Sequence, residues 1–297
     1  MKIAAAAYPL DFFDDWSGYE AKITAWVDDA VSQGAELLVF PEYAAMELSS
    51  LGGREVAADL EASLRYAAER APRAAALHER LARQHGIWIL AGSGPVFSGN
   101  RPVNRAPLFG PDGTCGYQDK QIMTRFEREE WDVTPGEPLR LFGIGPFQAG
   151  VTICYDSEFP LLGRSLASAG ANLILVPSCT ETLAGYSRVR IGAMARALEN
   201  QCVTVLSPII GDAEWCPGVE AGNGAAAIFG PPDKGFPETG VIAEGSLNHP
   251  GWVVAEVDPE TVAEVRKDGN VLNFMHWPEQ DTRINIAPFA AERTKNT

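Results

Sequence analysis

One short stretch limits the fold of this chain more than any other, because the strand-like run over residues 150–153 ends abruptly at Cys154. The run is rich in β-branched residues, and the four residues after the cysteine are too polar to continue a buried strand. Pro160 then favours the start of a helix. In α/β folds, reacting groups gather where strands end and loops form a crevice. Cys154 is therefore a candidate nucleophile.

The alternative for any free cysteine is that it fills space in the core. Three other cysteines, Cys115, Cys179 and Cys202, lie beside predicted strands and fit that alternative. Cys154 differs because a polar turn follows it directly, which places its thiol where the core meets solvent. Position alone does not decide between the two roles.

Two further strand ends carry charged residues. An apolar run over residues 37–40 leads to Glu42, and a predicted hairpin over residues 105–120 delivers Lys120 at the end of its second strand. A lone lysine at a strand end is usually only exposed, so this pattern becomes informative when the three sites are taken together. A glutamate, a lysine and a cysteine each end a strand, in that order along the chain.

The blocks at residues 40–42, 117–120 and 153–156 resemble the three signature blocks of the nitrilase (carbon-nitrogen hydrolase) superfamily. The resemblance extends from residue 3 to about residue 286. It implies an α/β fold in which two mixed sheets, flanked by helices, form a four-layer α-β-β-α sandwich. It also implies that Glu42, Lys120 and Cys154 are catalytic.

The same resemblance suggests a second glutamate at the site, and the position of two loops at the shared edge of the sheet suggests substrate contacts. The family commonly places another glutamate after the lysine, four residues before an aromatic residue, and Glu127 with Trp131 fits that spacing, while Glu130 is a second candidate. Four residues in the turn after Cys154 and in the loop over residues 177–182 are predicted to contact substrate: Tyr155, Glu158, Cys179 and Thr180.

The three catalytic candidates imply an amidase-type reaction on a small molecule. A thiol is mostly protonated at neutral pH and needs a base, for which Glu42 is suited, while Lys120 stabilises the negative charge that develops on the substrate. The expected product of attack is a thioester on Cys154, with release of ammonia or an amine. Glu127 is expected to orient Lys120 or the substrate. Glu158 stands near a position where relatives with carboxylate-bearing substrates carry arginine, which favours a neutral or cationic amide.

Three alternatives stay open. A true nitrilase is less favoured, because that branch tends to have tryptophan and glutamate where this chain has Tyr155 and Asp156. A cysteine–histidine enzyme would use His249 or His276. A non-catalytic binding or scaffold protein would keep the fold without the reaction.

The composition limits which classes of partner the protein can bind and indicates the cellular compartment in which we expect it. The chain has 297 residues, with 24 basic and 39 acidic residues and a net charge of −15, which argues against binding to nucleic acid. Its five cysteines show neither a disulfide framework nor metal-type spacing. No phosphate-binding loop, dinucleotide motif or apolar run of membrane-spanning length is present. We therefore expect a cytoplasmic protein without a metal or other cofactor.

The order of predicted elements favours one domain over residues 1–286, since no linker divides it. The chain opens with a βαβ unit whose helix covers residues 18–33 and is capped by Ser17. Pro72 is expected to split a helical run over residues 55–84 into two helices, and another strand is expected at residues 139–142. Residues 270–297 are predicted to form an extended arm that packs on the domain or on a partner in a homodimer.

Overall fold

The computed structural model describes residues 1–97 and 99–286. The strands in these residues are β1 (Lys2–Pro9), β2 (Leu37–Val39), β3 (Trp88–Leu90), β4 (Gly94–Phe97), β5 (Pro102–Phe109), β6 (Cys115–Asp119), β7 (Phe142–Ile144), β8 (Phe147–Val151), β9 (Leu173–Ser178), β10 (Val203–Asp212), β11 (Ala221–Gly222), β12 (Ala227–Phe229), β13 (Val241–Glu244) and β14 (Gly251–Glu256).

The α-helices are α1 (Trp16–Ser32), α2 (Arg54–Ala58), α3 (Leu60–His85), α4 (Arg125–Glu129), α5 (Pro160–Ser168), α6 (Leu183–Asn200), α7 (Pro259–Asp268) and α8 (Asn273–His276). Three segments form 3₁₀ helices: Ala44–Gly52, Cys154–Glu158 and Trp277–Thr282.

The strands form two mixed sheets that are joined at one point. The first has the order β14-β1-β2-β3-β5-β6, with β4 continuing along the same edge of β5 as β3. The second has the order β7-β8-β9-β10-β12-β13. The sheets meet where the end of β1 pairs in parallel with β10, at Tyr8 with Ile209 and Pro9 with Ile210.

Both faces of β1 are buried, which explains its unbroken run of apolar residues. Ile3, Ala5 and Ala7 pack in a core that also contains residues of β8, β9 and β10, whereas Ala4, Ala6 and Tyr8 pack in a second core with α1 and α3. The inner face of α6 covers the other side of the second sheet. The result is the four-layer α-β-β-α sandwich that the resemblance implies.

This topology brings four strand ends to one edge. The strands β1, β2 and β3 run parallel, as do β8, β9 and β10, and the parallel pairing of β1 with β10 aligns the carboxyl ends of both sheets. β6 points the same way because it is antiparallel to β5, which is antiparallel to β3. The residues just beyond β2, β6, β8 and β9 therefore converge.

Several local predictions are corrected by the structure. α3 runs uninterrupted through Pro72, because buried residues on both sides of the proline hold the helix against the core, and the break falls at Asp59 instead. Asp15, not Ser17, caps α1 by accepting a hydrogen bond from the backbone of Gly18. The strand expected at residues 139–142 lies at β7, three residues later.

The predicted arm is only partly described. Residues 273–282 are helical rather than extended, as α8 and the 3₁₀ helix that follows it. Phe274 packs under the guanidinium groups of Arg164 and Arg266, which attaches this segment to the domain. Residues 287–297 of the arm lie outside the described residues. Over residues 1–97 and 99–286, none of the helices combines the length and the apolar character needed to cross a membrane.

Candidate active site

The polar residues at the shared strand edge form one buried cluster around Lys120. The ammonium donates hydrogen bonds of 2.6 Å to Oε1 of Glu42 and to Oε2 of Glu127. All three side chains are almost completely buried, at 1–2% exposure. An ammonium has three donors, so one N–H of Lys120 is left for another acceptor.

The backbone of Cys179 connects the carboxylate of Glu42 to the thiol of Cys154. Its N–H donates to Oε2 of Glu42 at 2.9 Å, and its carbonyl accepts from Sγ of Cys154 at 3.5 Å. Since β8 and β9 are neighbours, the residues following them are held side by side. Glu42 and Cys154 are therefore bound to opposite ends of the same residue, Cys179.

The backbone at Cys154 is itself unusual, with φ of +50° in the left-handed region. Side chains other than glycine adopt this region at a cost. The turn is fixed by Ser157, whose hydroxyl donates to the carbonyl of Cys154 at 2.7 Å, and by Asp156, which accepts from the backbone of Ile153. Together these bonds hold the thiol at the strand end.

The environments of Glu42 and Glu127 push their pKa values apart. Burial raises the pKa of Glu42 to about 7, with Lys120 opposing the change and the charge of Glu127 adding to it. For Glu127, burial acts in the same direction, but Lys120 and hydrogen bonds from Thr124 and Tyr43 outweigh it and lower the pKa. Glu127 therefore stays ionised, whereas Glu42 can exchange a proton near neutrality.

The thiol holds its own proton in this environment. Burial raises the pKa of Cys154 well above its usual value, and the negative charge of Glu42 raises it further, although Lys120 opposes them. For Lys120, burial lowers the pKa, but the two carboxylates more than compensate and keep it cationic.

The structure assigns a clear position to each of the two candidate glutamates. Glu127 lies in the cluster and also forms a capping box with Thr124 at the start of α4. Glu130, at the other end of that helix, is exposed. Glu127 is thus the glutamate that lies next to Lys120, and a catalytic role for it stays a prediction.

The sequence analysis did not identify three polar residues that contact the cluster or the loop after Lys120. Asn104 donates to Glu42 at 3.0 Å, the hydroxyl of Tyr43 donates to Glu127 at 2.8 Å, and Asp156 accepts from the backbone after Lys120. The pattern Thr124-x-x-Glu127 is a sequence signal for a helix start and could have favoured Glu127 over Glu130.

A cavity of about 170 Å³ opens beside the cluster. Its walls include cluster residues, three aromatic rings and two further glutamates: Glu42, Lys120, Glu127, Cys179, Tyr43, Phe126, Trp131, Glu181 and Glu220. A larger and mostly apolar cavity of about 540 Å³ lies between α3 and β4, and no residue of the Lys120 cluster lines it.

Of the four predicted substrate contacts, only Cys179 lines the smaller cavity. Tyr155 packs edge-on against Phe159, Glu158 pairs with Arg188 at 3.6 Å, and the hydroxyl of Thr180 donates to the carbonyl of Asn223. A substrate contact by Tyr155, Glu158 or Thr180 stays a prediction. Among residues 1–97 and 99–286, no group of three or more His, Cys, Asp and Glu side chains is arranged to hold a metal ion.

Comparison with known proteins places this geometry in a family. The chain is 31% identical over 272 residues to a probable hydrolase, YhcX, of Bacillus subtilis, covering 91% of this chain and 52% of that protein. It is 33% identical over 144 residues to the deaminated glutathione amidase of Yersinia enterocolitica, covering 44% of this chain and 50% of that one. The chain thus spans about half the length of these two relatives.

Solved structures share the fold. Nit3 of Saccharomyces cerevisiae, a nitrilase superfamily member, superposes with a TM-score of 0.70 at 21% identity over 90% of this chain and 93% of that one. An amidase of Nesterenkonia AN1 from the same superfamily superposes with a TM-score of 0.67 at 26% identity, covering 89% of this chain and 94% of that one. Residues 2–267 match the sequence profile of the family described as Carbon-nitrogen hydrolase. The predicted superfamily is therefore confirmed, and the chain belongs to the carbon-nitrogen hydrolase family.

Proposed function

We propose that the protein hydrolyses an amide or N-carbamoyl bond of a small molecule through a thioester on Cys154. The observation that supports this most is the pair of carboxylates with opposite pKa shifts, joined by Lys120 beside a buried thiol. Such a pair separates the roles of proton acceptor and fixed charge.

In the first half of the proposed reaction, Glu42 takes the proton of Cys154 as Sγ attacks the amide carbon. The carbonyl electrons move to oxygen, where the remaining N–H of Lys120 stabilises the negative charge. The carbon–nitrogen bond then breaks, and the nitrogen leaves with the proton that Glu42 carries. The product is a thioester and ammonia or an amine.

In the second half, Glu42 removes a proton from water as its oxygen attacks the thioester. The carbon–sulfur bond breaks, the acid is released, and the proton returns to the sulfur of Cys154. Glu127 stays ionised throughout and fixes the ammonium of Lys120.

A related structure supports a nucleophilic cysteine at the corresponding site. In a glutamate-to-glutamine mutant of the Nesterenkonia amidase, the acetamide moiety of fluoroacetamide is covalently added at the active-site cysteine. That adduct forms by displacement of fluoride and leaves the amide bond intact. For the proposed reaction, rapid acid quenching of the wild-type protein during turnover should trap the thioester as an added mass on Cys154, whereas Glu42→Gln, which lacks the proton carrier for both halves of the reaction, should show neither the adduct nor ammonia. Intact-protein mass spectrometry after incubation with a panel of small amides measures that adduct.

The matched control is Cys154→Ala, which should show no adduct and release no ammonia. Ammonia release by the unmodified protein from amides but not from the corresponding nitriles would separate an amidase from a nitrilase. Absence of both adduct and ammonia over the whole panel would favour the scaffold alternative.

The cysteine–histidine alternative has less support. His249 and His276 are both exposed, and neither lines the cavity beside the cluster. The contacts of the thiol are instead with the backbone of Cys179 and the carboxylate of Glu42.

We also propose that the protein forms a homodimer through the outer face of α6. Leu183, Ile191 and Leu198 are 55%, 65% and 43% exposed and, at spacings of eight and seven residues, lie along one side of that helix. Sedimentation analysis should show a dimer, and Ile191→Glu should shift it to a monomer. A monomeric unmodified protein would contradict this proposal.

A further inference from the structure

The cavity beside the Lys120 cluster is strongly acidic, and it is lined by Cys179, whose carbonyl accepts the hydrogen bond of the Cys154 thiol, rather than by Cys154 itself. Its walls carry the carboxylates of Glu42, Glu127, Glu181 and Glu220 against the single ammonium of Lys120. That ammonium is already paired with two of the four carboxylates at 2.6 Å. Within residues 1–97 and 99–286, no salt bridge neutralises Glu181 or Glu220, so the mouth of the cavity holds excess negative charge.

The loop that carries Glu220 is held in a defined position. Gly218 has φ of +93° in the left-handed region. It packs so closely on Trp131 that a Cβ at this position would lie 2.4 Å from the indole ring. The backbone N–H of Gly218 also donates to the carboxylate of Glu220. The charge of Glu220 reaches the cluster, since it contributes to raising the pKa of Cys179 after burial and nearer charges.

The aromatic wall adds a second feature that favours positive charge. This wall consists of Phe126, which is 38% exposed, packed edge to face at 5.2 Å on the buried Trp131, so Phe126 is the ring that an incoming group can contact. Aromatic faces attract ammonium and guanidinium groups, most strongly where water is excluded. An anionic group at the same place would meet two carboxylates without a salt bridge and, among the described residues that line the cavity, no cation other than the paired Lys120.

We propose that the substrate is a cationic amide whose ammonium or guanidinium group binds between Glu220, Glu181 and the aromatic wall. This inference rests on the proposed amidase function and adds the substrate class to it. The amide would reach the thiol of Cys154 and Lys120 with its other end. The small cavity volume of about 170 Å³ fits a short substrate rather than a bulky one.

Three amides of similar size test the proposal with the full chain at pH 7.5. They are 4-aminobutanamide, pentanamide and succinamate, whose far ends are cationic, neutral and anionic. We expect kcat/KM for the cationic amide to exceed that for the neutral one by about tenfold and that for the anionic one by about a hundredfold, because each step corresponds to about 1.4 kcal/mol. Equal or higher kcat/KM for pentanamide or succinamate would overturn the proposal and leave the amidase function standing.

Charge-removing variants locate the effect. Glu220→Gln should reduce the preference for the cationic amide by about three- to tenfold and raise relative activity on succinamate. The matched control is Glu264→Gln on α7, which removes the same charge. That helix lies at the opposite end of the second sheet, since Val265 accepts from Gln201, just before β10 begins. An equal change in both variants would mean that overall charge, not the cavity, sets the preference.

A second measurement keeps the inference testable if none of the three amides is hydrolysed. The modification rates of Cys154 by cationic 2-aminoethyl and anionic 2-sulfonatoethyl methanethiosulfonate, relative to a small free thiol, report the charge of the cavity without turnover. Peptide mass mapping distinguishes Cys154 from Cys179 and the exposed Cys115. We expect the cationic reagent to be favoured by about tenfold, less so in Glu220→Gln. A ratio near one between the rates of the cationic and the anionic reagent in the wild-type protein would contradict the proposal.

Discussion

Asp156 accepts a 2.8 Å hydrogen bond from the backbone N–H of Ile122, which ties the turn after the thiol to the loop after Lys120. The same carboxylate accepts from the backbone of Gln121 and of Ile153. It is buried, and burial raises its pKa to about 6 despite these donors. One side chain therefore connects the two chain segments that carry the ammonium and the sulfur.

Asp156→Ala should lower stability and activity together. The variant leaves buried backbone N–H groups without an acceptor, at a cost of about 1–3 kcal/mol, and frees the loop that positions Lys120. Chemical unfolding and kcat/KM measure the two effects. The control is Asp233→Ala, which removes similar bonds to Asn270 and Val271 at a more exposed site, and activity should not change there.

Lys120→Met should abolish most activity. Loss of one donor to a developing negative charge costs about a hundredfold or more in kcat, and leaving two buried carboxylates unpaired should destabilise the fold by about 3–5 kcal/mol. Lys22→Met is the matched control, because Lys22 pairs with the buried Glu47 at 2.5 Å outside the cluster. A comparable stability loss with retained activity in the control, and lost activity only at Lys120, would support a direct role.

The pH dependence of kcat/KM should show an acid limb near pH 7. Only ionised Glu42 can accept the thiol proton, and its pKa is raised to about 7, so activity should fall as pH decreases through that value. A limb near the ordinary glutamate pKa would contradict this assignment.

Glu127→Gln should move that limb to lower pH. The charge of Glu127 raises the pKa of Glu42, and its removal also leaves Lys120 to stabilise the Glu42 carboxylate alone. Exposed Glu130→Gln should leave the limb in place. The pH dependence of Cys154 alkylation provides the same readout if Glu127→Gln does not turn over.

Pro72→Ala should stabilise the protein. A proline inside a helix removes a hydrogen bond and crowds the preceding turn, at a cost of about 3 kcal/mol at most positions, so we expect a gain of about 1–3 kcal/mol in the free energy of unfolding. Pro259 lies in the first turn of α7, where proline is favourable, and Pro259→Ala should give no gain. Thermal unfolding of the two variants makes the comparison.

Pro72 also shows where sequence reasoning reached its limit. Local propensity predicts a break there, but the buried faces before and after the proline, including Leu64 and Leu77, bind α3 to the same core. The free energy that keeps α3 helical through Pro72 comes from tertiary contacts, and these cannot be read from a local sequence pattern. The strand ends at Glu42, Lys120 and Cys154 were easier to predict, because an abrupt change from apolar to polar residues is visible in the chain itself.

The remaining site residues have weaker signals. Asn104 lies within β5, and nothing in the sequence near it indicates that its side chain reaches Glu42. Glu220 lies in a glycine-rich region without periodicity, and only the folding of its loop onto Trp131 brings it to the cavity. Both depend on contacts between segments far apart in the chain.

The left-handed backbone at Cys154 has a consequence for how the protein can change over time. A residue with a side chain pays about 1–2 kcal/mol there that glycine would not. A substitution of Cys154 by glycine would therefore relieve the backbone strain of this turn, but it would also remove the sulfur. Keeping a cysteine in such a conformation opposes thermodynamic stability, so a lineage that no longer needed the reaction would have an easy route to lose it.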